Sequence, residues 1–162
     1  MPIPAFIRAI RAGAGTQLLL LPGSAAVVVD DAGRVLLGRR ADTGAWAVVA
    51  GIPEPGEQPA DAAVREVYEE TAVRCAVERV VAVETGPVFT YDNGDRSQYI
   101  VTVFRARYVG GEARVNDDES LDVAWFAPDA LPPLGASSER WVKHALGGGP
   151  AWFAGGGAPE EA

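Results

Sequence analysis

The chain has 162 residues, 48% of them apolar and 22% charged, the profile of a single soluble globular domain and not of a disordered chain. The 14 basic residues stand against 22 acidic ones, and the resulting net charge of -8 repels nucleic-acid backbones, so general nucleic-acid binding is not expected. The lone cysteine, Cys75, excludes an internal disulfide, and no apolar run approaches the ~18 residues of a membrane span.

Ile3, Phe6, Ile7 and Ile10 fall at i, i+3, i+4 and i+7, one face of a short amphipathic helix that Gly13-Ala14-Gly15 terminates. That face must be buried, either on the chain's own sheet or across a homodimer. Arg8 and Arg11 ahead of Leu18 to Leu21 superficially suggest a signal peptide. Pro22-Gly23 cut the apolar stretch short of the ~7–15 residues such a segment needs, so the expected location is the cytoplasm.

Leu18 to Leu21 and Ala25 to Asp30 read as two strands separated by Pro22-Gly23. Asp31-Ala32-Gly33 is turn chemistry, and Arg34 to Arg39 forms the next strand. Trp46 to Ala50 is another short strand. A loop from Gly51 to Glu57 then leads to Pro59, well placed to open a helix that runs to about Thr71. Val77 to Val83 is strand-like, and Val88 to Tyr91 with Gln98 to Tyr108 predict a hairpin around Asn93-Gly94. After the turn at Gly110-Gly111, Leu121 to Phe126 is the last strand and Ser138 to Leu146 a C-terminal helix. The glycine-rich stretch from Gly147 reads as a mobile tail unless Trp152 and Phe153 dock it. Mostly strands, with one central helix and a helix near each end, is an α+β pattern.

The central helix carries the chemistry. At about 100° per residue, Ala63, Val64, Val67 and Thr71 share one side, and Glu66, Glu69 and Glu70 share an arc of roughly 100° on the other. Like charges at this spacing repel by a few tenths of a kcal/mol per pair, and only Arg65 within the helix answers them, by pairing with Glu69 at i+4. Asp61 and Glu57 add negative charge toward the N-terminal end, where the helix dipole tolerates it. Two readings stand at this point. One is a solvated acidic face. The other is a site for a hard divalent cation such as Mg²⁺, which uses few carboxylates and completes its shell with water and substrate phosphates.

The spacing extends beyond the helix. From Gly51 the chain runs Gly, five residues, Glu57, seven residues, Arg65-Glu66-Val67, one residue, Glu69-Glu70, one residue, Ala72-Val73. This closely resembles the signature of Nudix hydrolases, with Ala72 where that family usually has Gly and Val49-Ala50-Gly51 where it commonly has Pro-Gly-Gly. Trp46 ahead of this box and the Trp125-Phe126 strand ending before Pro128 extend the resemblance over roughly residues 24–146. The implied fold is a mixed β-sheet sandwiched between helices. Residues 1–23 would precede it as a helix and strand extension, and residues 147–162 would follow as a tail.

The resemblance implies hydrolysis of the diphosphate linkage in a small nucleoside diphosphate derivative, ADP-ribose or a nucleotide sugar foremost and a (d)NTP next, with no membrane partner. Pro87, 14 residues past Val73, resembles a proline of members acting on ADP-ribose and related compounds. By the same resemblance Glu66, Glu69 and Glu70 bind Mg²⁺ or Mn²⁺, the Gly51 carbonyl adds a ligand, Glu57 assists at the metal edge, and Arg65 pairs with a carboxylate of the box. The general base falls to Glu119, in Asn116-Asp117-Asp118-Glu119, or to Glu69 or Glu70; the alternative for Glu119 is a solvated loop acid. Ala72 costs about 1 kcal/mol if its position needs a left-handed backbone. Ala50 alters the backbone beside Gly51, which leaves a non-catalytic Nudix-fold nucleotide-binding or regulatory module as an alternative, and a plain acidic interaction domain as a third.

Other residues have simpler expectations. Trp46, Phe89, Tyr91 and Tyr99 suit base stacking but read first as core. His144 sits in the last turn of its helix, where a cation is favoured, and Cys75 reads as a small buried residue.

Overall fold

Apolar side chains line both faces of the longest strands, so the sheet they build is covered on both sides. The structure, a computed structural model, describes residues 4–156; Ile3, Gly157 and the rest of the tail lie outside the described residues. In chain order the elements are α1 (Ala5–Ala14), β1 (Leu18–Val29), β2 (Val35–Arg40), β3 (Trp46–Ala47), β4 (Val49–Gly51), α2 (Pro59–Thr71), β5 (Arg74–Thr85), β6 (Phe89–Thr90), β7 (Arg96–Gly110), β8 (Ser120–Phe126), α3 (Ala136–Leu146) and β9 (Trp152–Phe153).

The strands form one sheet with the order β3-β2-β1-β7-β5-β9, to which β4 adds on β1, β6 on β7 and β8 on β2. β1 and β7 run parallel, as do β5 and β9, while the remaining pairs are antiparallel, so the sheet is mixed. α2 packs Ala63 and Val67 against Ala26, Val28, Phe104 and Ala106 on one face. α3 packs Trp141, Val142 and Ala145 on the other face, against Ala25, Val27, Val101 and Val103. This is the expected α+β sandwich, with α1 as the added N-terminal helix.

Several elements depart from the sequence expectation. Leu18–Val29 is one strand, not two. The stretch around Pro22 is paired only with β7, because β4 joins β1 at Ser24 and β2 at Val29; the missing proline N–H therefore breaks no ladder. The run from Trp46 to Ala50 is divided between β3 and β4 at Val48, whose N–H is taken by Ser138 Oγ at 3.1 Å. Phe89 and Tyr91, expected in the core, are 48% and 47% exposed because β6 is only a two-residue strand paired with β7 alone. Trp46 does pack inward, edge-on to Phe126 at 4.9 Å, and Tyr99 is half-buried with its hydroxyl 2.9 Å from that of Tyr91. Cys75 is buried, which pushes its thiol up to about 11.

Arginines fasten both α1 and α3. In α1 only Ile7 is fully buried, and Ile10 is 43% exposed, so packing alone holds this helix weakly. Arg11 compensates by donating to the carbonyls of Gly15, Gln17 and Arg96 and to Ser97 Oγ. At the other end, the buried Glu84 carboxylate accepts from Arg140 at 2.9 and 3.0 Å and from Trp141 Nε1 at 2.7 Å, joining α3 to β5 with both oxygens satisfied. Trp152 docks the tail through β9, beneath His144 stacked at 5.3 Å and the Arg140 guanidinium at 5.3 Å.

α2 ends at Ala72, the one non-glycine residue with positive φ (58°) among the described residues. Its N–H returns to the Tyr68 carbonyl at 2.9 Å, the left-handed cap that glycine adopts without strain. Ala72→Gly is expected to stabilise the fold by up to ~1 kcal/mol, the left-handed penalty less the burial of one methyl. Urea denaturation checks this; a variant less stable than the parent would mean that the methyl outweighs the strain.

Candidate functional site

The acidic face of α2 is organised around one guanidinium. Arg65 donates from Nε to Glu57 Oε1 and from Nη2 to Glu57 Oε2, both at 2.9 Å, a bidentate pair across the loop that precedes the helix. Its Nη1 bridges Glu66 Oε1 at 2.9 Å and Glu69 Oε2 at 3.0 Å, and Nη2 also reaches the Ile52 carbonyl at 3.3 Å. The Arg65–Glu69 pair is thus present, with two further carboxylates that i+4 spacing did not indicate.

Gly51, the last residue of β4, is packed face-on against this cluster. A Cβ built there would overlap the Glu66 carboxyl group, so the position is closed to any side chain unless Glu66 moves. This gives Gly51 a steric reason to be glycine, with no need of an unusual backbone.

A second set of contacts fastens the C-terminal end of α2 to the segment before β8. The N–H groups of Arg114 and Asn116 donate to the carbonyls of Thr71 and Glu70, at 3.1 and 3.2 Å. Asn116 Nδ2 reaches the carbonyls of Tyr68 and Glu69, at 3.1 and 3.2 Å. The last turn of the helix, whose carbonyls would otherwise lack partners, is therefore capped from outside by this segment. Three residues on, the Glu119 carbonyl accepts from the Ala41 N–H at 2.8 Å, and Ser120 Oγ lies 3.4 Å from Glu70 Oε2.

These constraints bring Arg65, Glu66, Glu69 and Glu119 onto one cavity of about 180 Å³, bordered also by Ile52 and by Pro4 at the start of α1. Glu70 lies behind it, against Ser120 and Gly38. Glu57 is drawn away, both oxygens committed to Arg65 and one also to the Glu54 N–H. Among the described residues no three His, Cys, Asp or Glu side chains converge as a ready-made cation site. The reason is visible: Arg65 Nη1 occupies the space between Glu66 and Glu69. Asn116 and Ser120 were not singled out by sequence, since their roles depend on a loop whose path no periodicity reports.

The electrostatics divide the acids into two groups. Glu57 is held below the usual carboxylate range by its hydrogen bonds from Arg65. Glu66 is pushed up by burial, against the pull of Arg65, and Glu119 is also pushed up, first by burial. Glu70 is raised to about 8 by burial and by repulsion from Glu119, Asp117 and Glu66, which Arg40 only partly offsets. On the side of the cluster away from Arg65 the protein therefore supplies too little positive charge to keep every acid ionised, and Glu70 holds its proton near neutral pH. The donors on that side are all oxygens, the set that a hard divalent cation takes.

The family model described as "NUDIX domain" matches residues 19–145. A MutT-like protein of Streptomyces ambofaciens is 39% identical over 107 residues, which are 66% of this chain and 64% of that protein. An NAD-capped RNA hydrolase, NudC, of Pseudomonas fluorescens is 35% identical over 113 residues, 68% of this chain but only 38% of the relative. The chain thus spans less than two thirds of either relative's length. A solved structure titled UDP-X diphosphatase superposes with a TM-score of 0.64 at 23% identity, covering 91% of this chain and 73% of that one, a likeness of fold.

In the metal-free protein, the raised Glu70 carboxyl means that the folded state holds its proton more tightly than the unfolded state. Stability is then expected to fall as pH rises from about 4.5 toward about 8, by no more than ~1.4 kcal/mol per unit. Glu70→Gln should flatten that window. Urea titrations in chelator from acid to mildly alkaline pH check it, and a parent profile that rises across the window would contradict the assignment.

Proposed function

The chain belongs to the NUDIX domain family, and from that premise we propose that it is a Mg²⁺- or Mn²⁺-dependent hydrolase of the diphosphate linkage in small nucleoside diphosphate derivatives. The observation that carries this reading is the shared cavity, onto which the acidic face of α2 and Glu119 both open. The relative named for NAD-capped RNA supports a linkage between a nucleoside diphosphate and a second group. ADP-ribose and nucleotide sugars are the substrates put first.

Glu66, Glu69, Glu70 and the Gly51 carbonyl would hold the ions. The bound cation supplies neutralisation of the diphosphate and an acidified water. Everything else falls to the chain's own groups. Arg65 keeps Glu66 and Glu69 oriented and is itself aimed by its bidentate bond to Glu57. In this reading Glu57 acts at the metal edge through Arg65. Glu119, raised by burial and fixed through its carbonyl to Ala41, takes the proton of the attacking water. Glu70, supported by Ser120 Oγ, stands next to it.

A panel of ADP-ribose, NAD, nucleotide sugars and (d)NTPs, assayed with Mg²⁺ and with Mn²⁺, tests the reaction class. Cleavage of one class is expected, and it should be lost in Glu70→Gln. No cleavage with either cation would favour the nucleotide-binding module and make Ala50 the first position to change.

Glu119→Gln separates the base from its neighbours. A fall in kcat of ~10²-fold or more with KM nearly constant is expected for a group that acts on the proton in flight. An unchanged kcat would move the role to Glu69 or Glu70.

A further inference from the structure

One buried polar side chain has no partner. Ser24 in β1 is fully buried, and its Oγ is the only buried side-chain nitrogen or oxygen among the described residues that lacks a hydrogen bond. A hydroxyl taken out of water and left unpaired is costly, so such groups call for an explanation. The sequence offers none: Ala25 and Ala26 follow, and alanine would fill the same position on the strand without a polar atom.

The register fixes where this side chain points. Ser24 is directly opposite Gly51 in the β1–β4 pair, and opposite side chains of an antiparallel pair project from the same face. Ala26, two residues along β1, lies in the cluster that packs under α2, so Ser24 faces the α2 side as well. Across from it, the place of the missing Gly51 Cβ is filled by the Glu66 carboxyl group. Opposed Cβ positions lie ~5 Å apart, so the register turns the Ser24 side chain toward Glu66 from the sheet below, with no hydrogen bond between the two. Among the described residues the Glu66 carboxylate accepts one hydrogen bond, from Arg65 Nη1 to Oε1, and none of them donates to Oε2.

We propose that Ser24 is a positioning residue of the cation site. Its hydroxyl donates to the Glu66 carboxylate, on the side that Arg65 does not hold, when that group serves as a ligand, and so fixes the ligand's orientation from below. The unpaired hydroxyl is the cost of keeping that donor in place. This inference rests on the cation-dependent reading given above. It concerns a residue outside the Gly51–Val73 signature.

The two expected effects of Ser24→Ala have opposite signs, which a merely structural serine would not produce. The metal-free melting temperature should stay the same or rise, because an unpaired buried hydroxyl is removed. The dissociation constant for Mn²⁺, measured by titration calorimetry without nucleotide, should increase about tenfold, as is usual when a group supporting a ligand is lost. An Mn²⁺ affinity within about twofold of the parent overturns the proposal, and so does a metal-free melting temperature clearly below the parent's. The parent protein provides the separate control. If it binds no Mn²⁺, the cation-dependent reading fails and takes this inference with it. If it binds Mn²⁺ and Ser24→Ala binds equally well, only the inference about Ser24 fails.

Discussion

Arg65 lies inside the helix that carries most of the site's negative charge, and its position governs how the rest can be arranged. Without it, Glu57, Glu66 and Glu69 would repel one another across a loop and a helix turn. With it, three carboxylates gather at one guanidinium while Glu70 and Glu119 are left to burial and mutual repulsion. An arginine suits this task better than a lysine, because its planar fork binds Glu57 with two parallel bonds and still has a donor for the other two acids. The result is a cluster that is partly neutralised and fixed in shape, with its remaining negative charge directed to one side. Catalysis by positioning and electrostatics depends on such fixed, uncompensated charge.

The sheet provides the second constraint. β4 is only three residues long, yet its pairing with β1 sets Gly51 against the Glu66 carboxyl and places Ser24 beside it. The loop between β7 and β8 then closes the other end of α2 by capping its last carbonyls. The C-terminal end of the acidic helix is therefore fixed by bonds to the segment before β8, and its middle is set against β4 at Gly51. The side chains on its face inherit that rigidity.

Much of this was legible in the chain before any coordinates. The Gly51–Val73 spacing indicated the helix, its acidic face and the family likeness, because a 3.6-residue period and a fixed motif are local properties. The left-handed backbone at Ala72 was legible for the same reason: a helix terminus has a characteristic geometry. What sequence did not reveal was set by distant pairing. Pro22 splits β1 in two on sequence, since proline breaks ladders in most settings, and only the one-sided pairing there makes it harmless. Residue type alone points Phe89 and Tyr91 inward, whereas β6 has one neighbour and an open face. Asn116, Ser120 and Ser24 carry no local signal, since each matters only for what the fold places opposite it. Within one chain the N-terminal helix buries Ile7 but not Ile10, and Arg11 fastens that helix by hydrogen bonds more than its apolar stripe does.

The parallel ladder between β1 and β7 also sets an order of events during synthesis. Leu18 finds its partner at Arg96 and Val29 at Arg107, so the first strand of the sheet has no neighbour in that ladder until most of the chain exists. Hairpins form as they emerge; a parallel pair of this separation must wait for the intervening segment and close a long loop at once. A growing chain therefore carries β1 with its β7 side unpaired until residues 96–107 are made, while β2, β4 and α2 are already available to its other contacts. The acidic helix is made early, and the surface on which it rests is completed late.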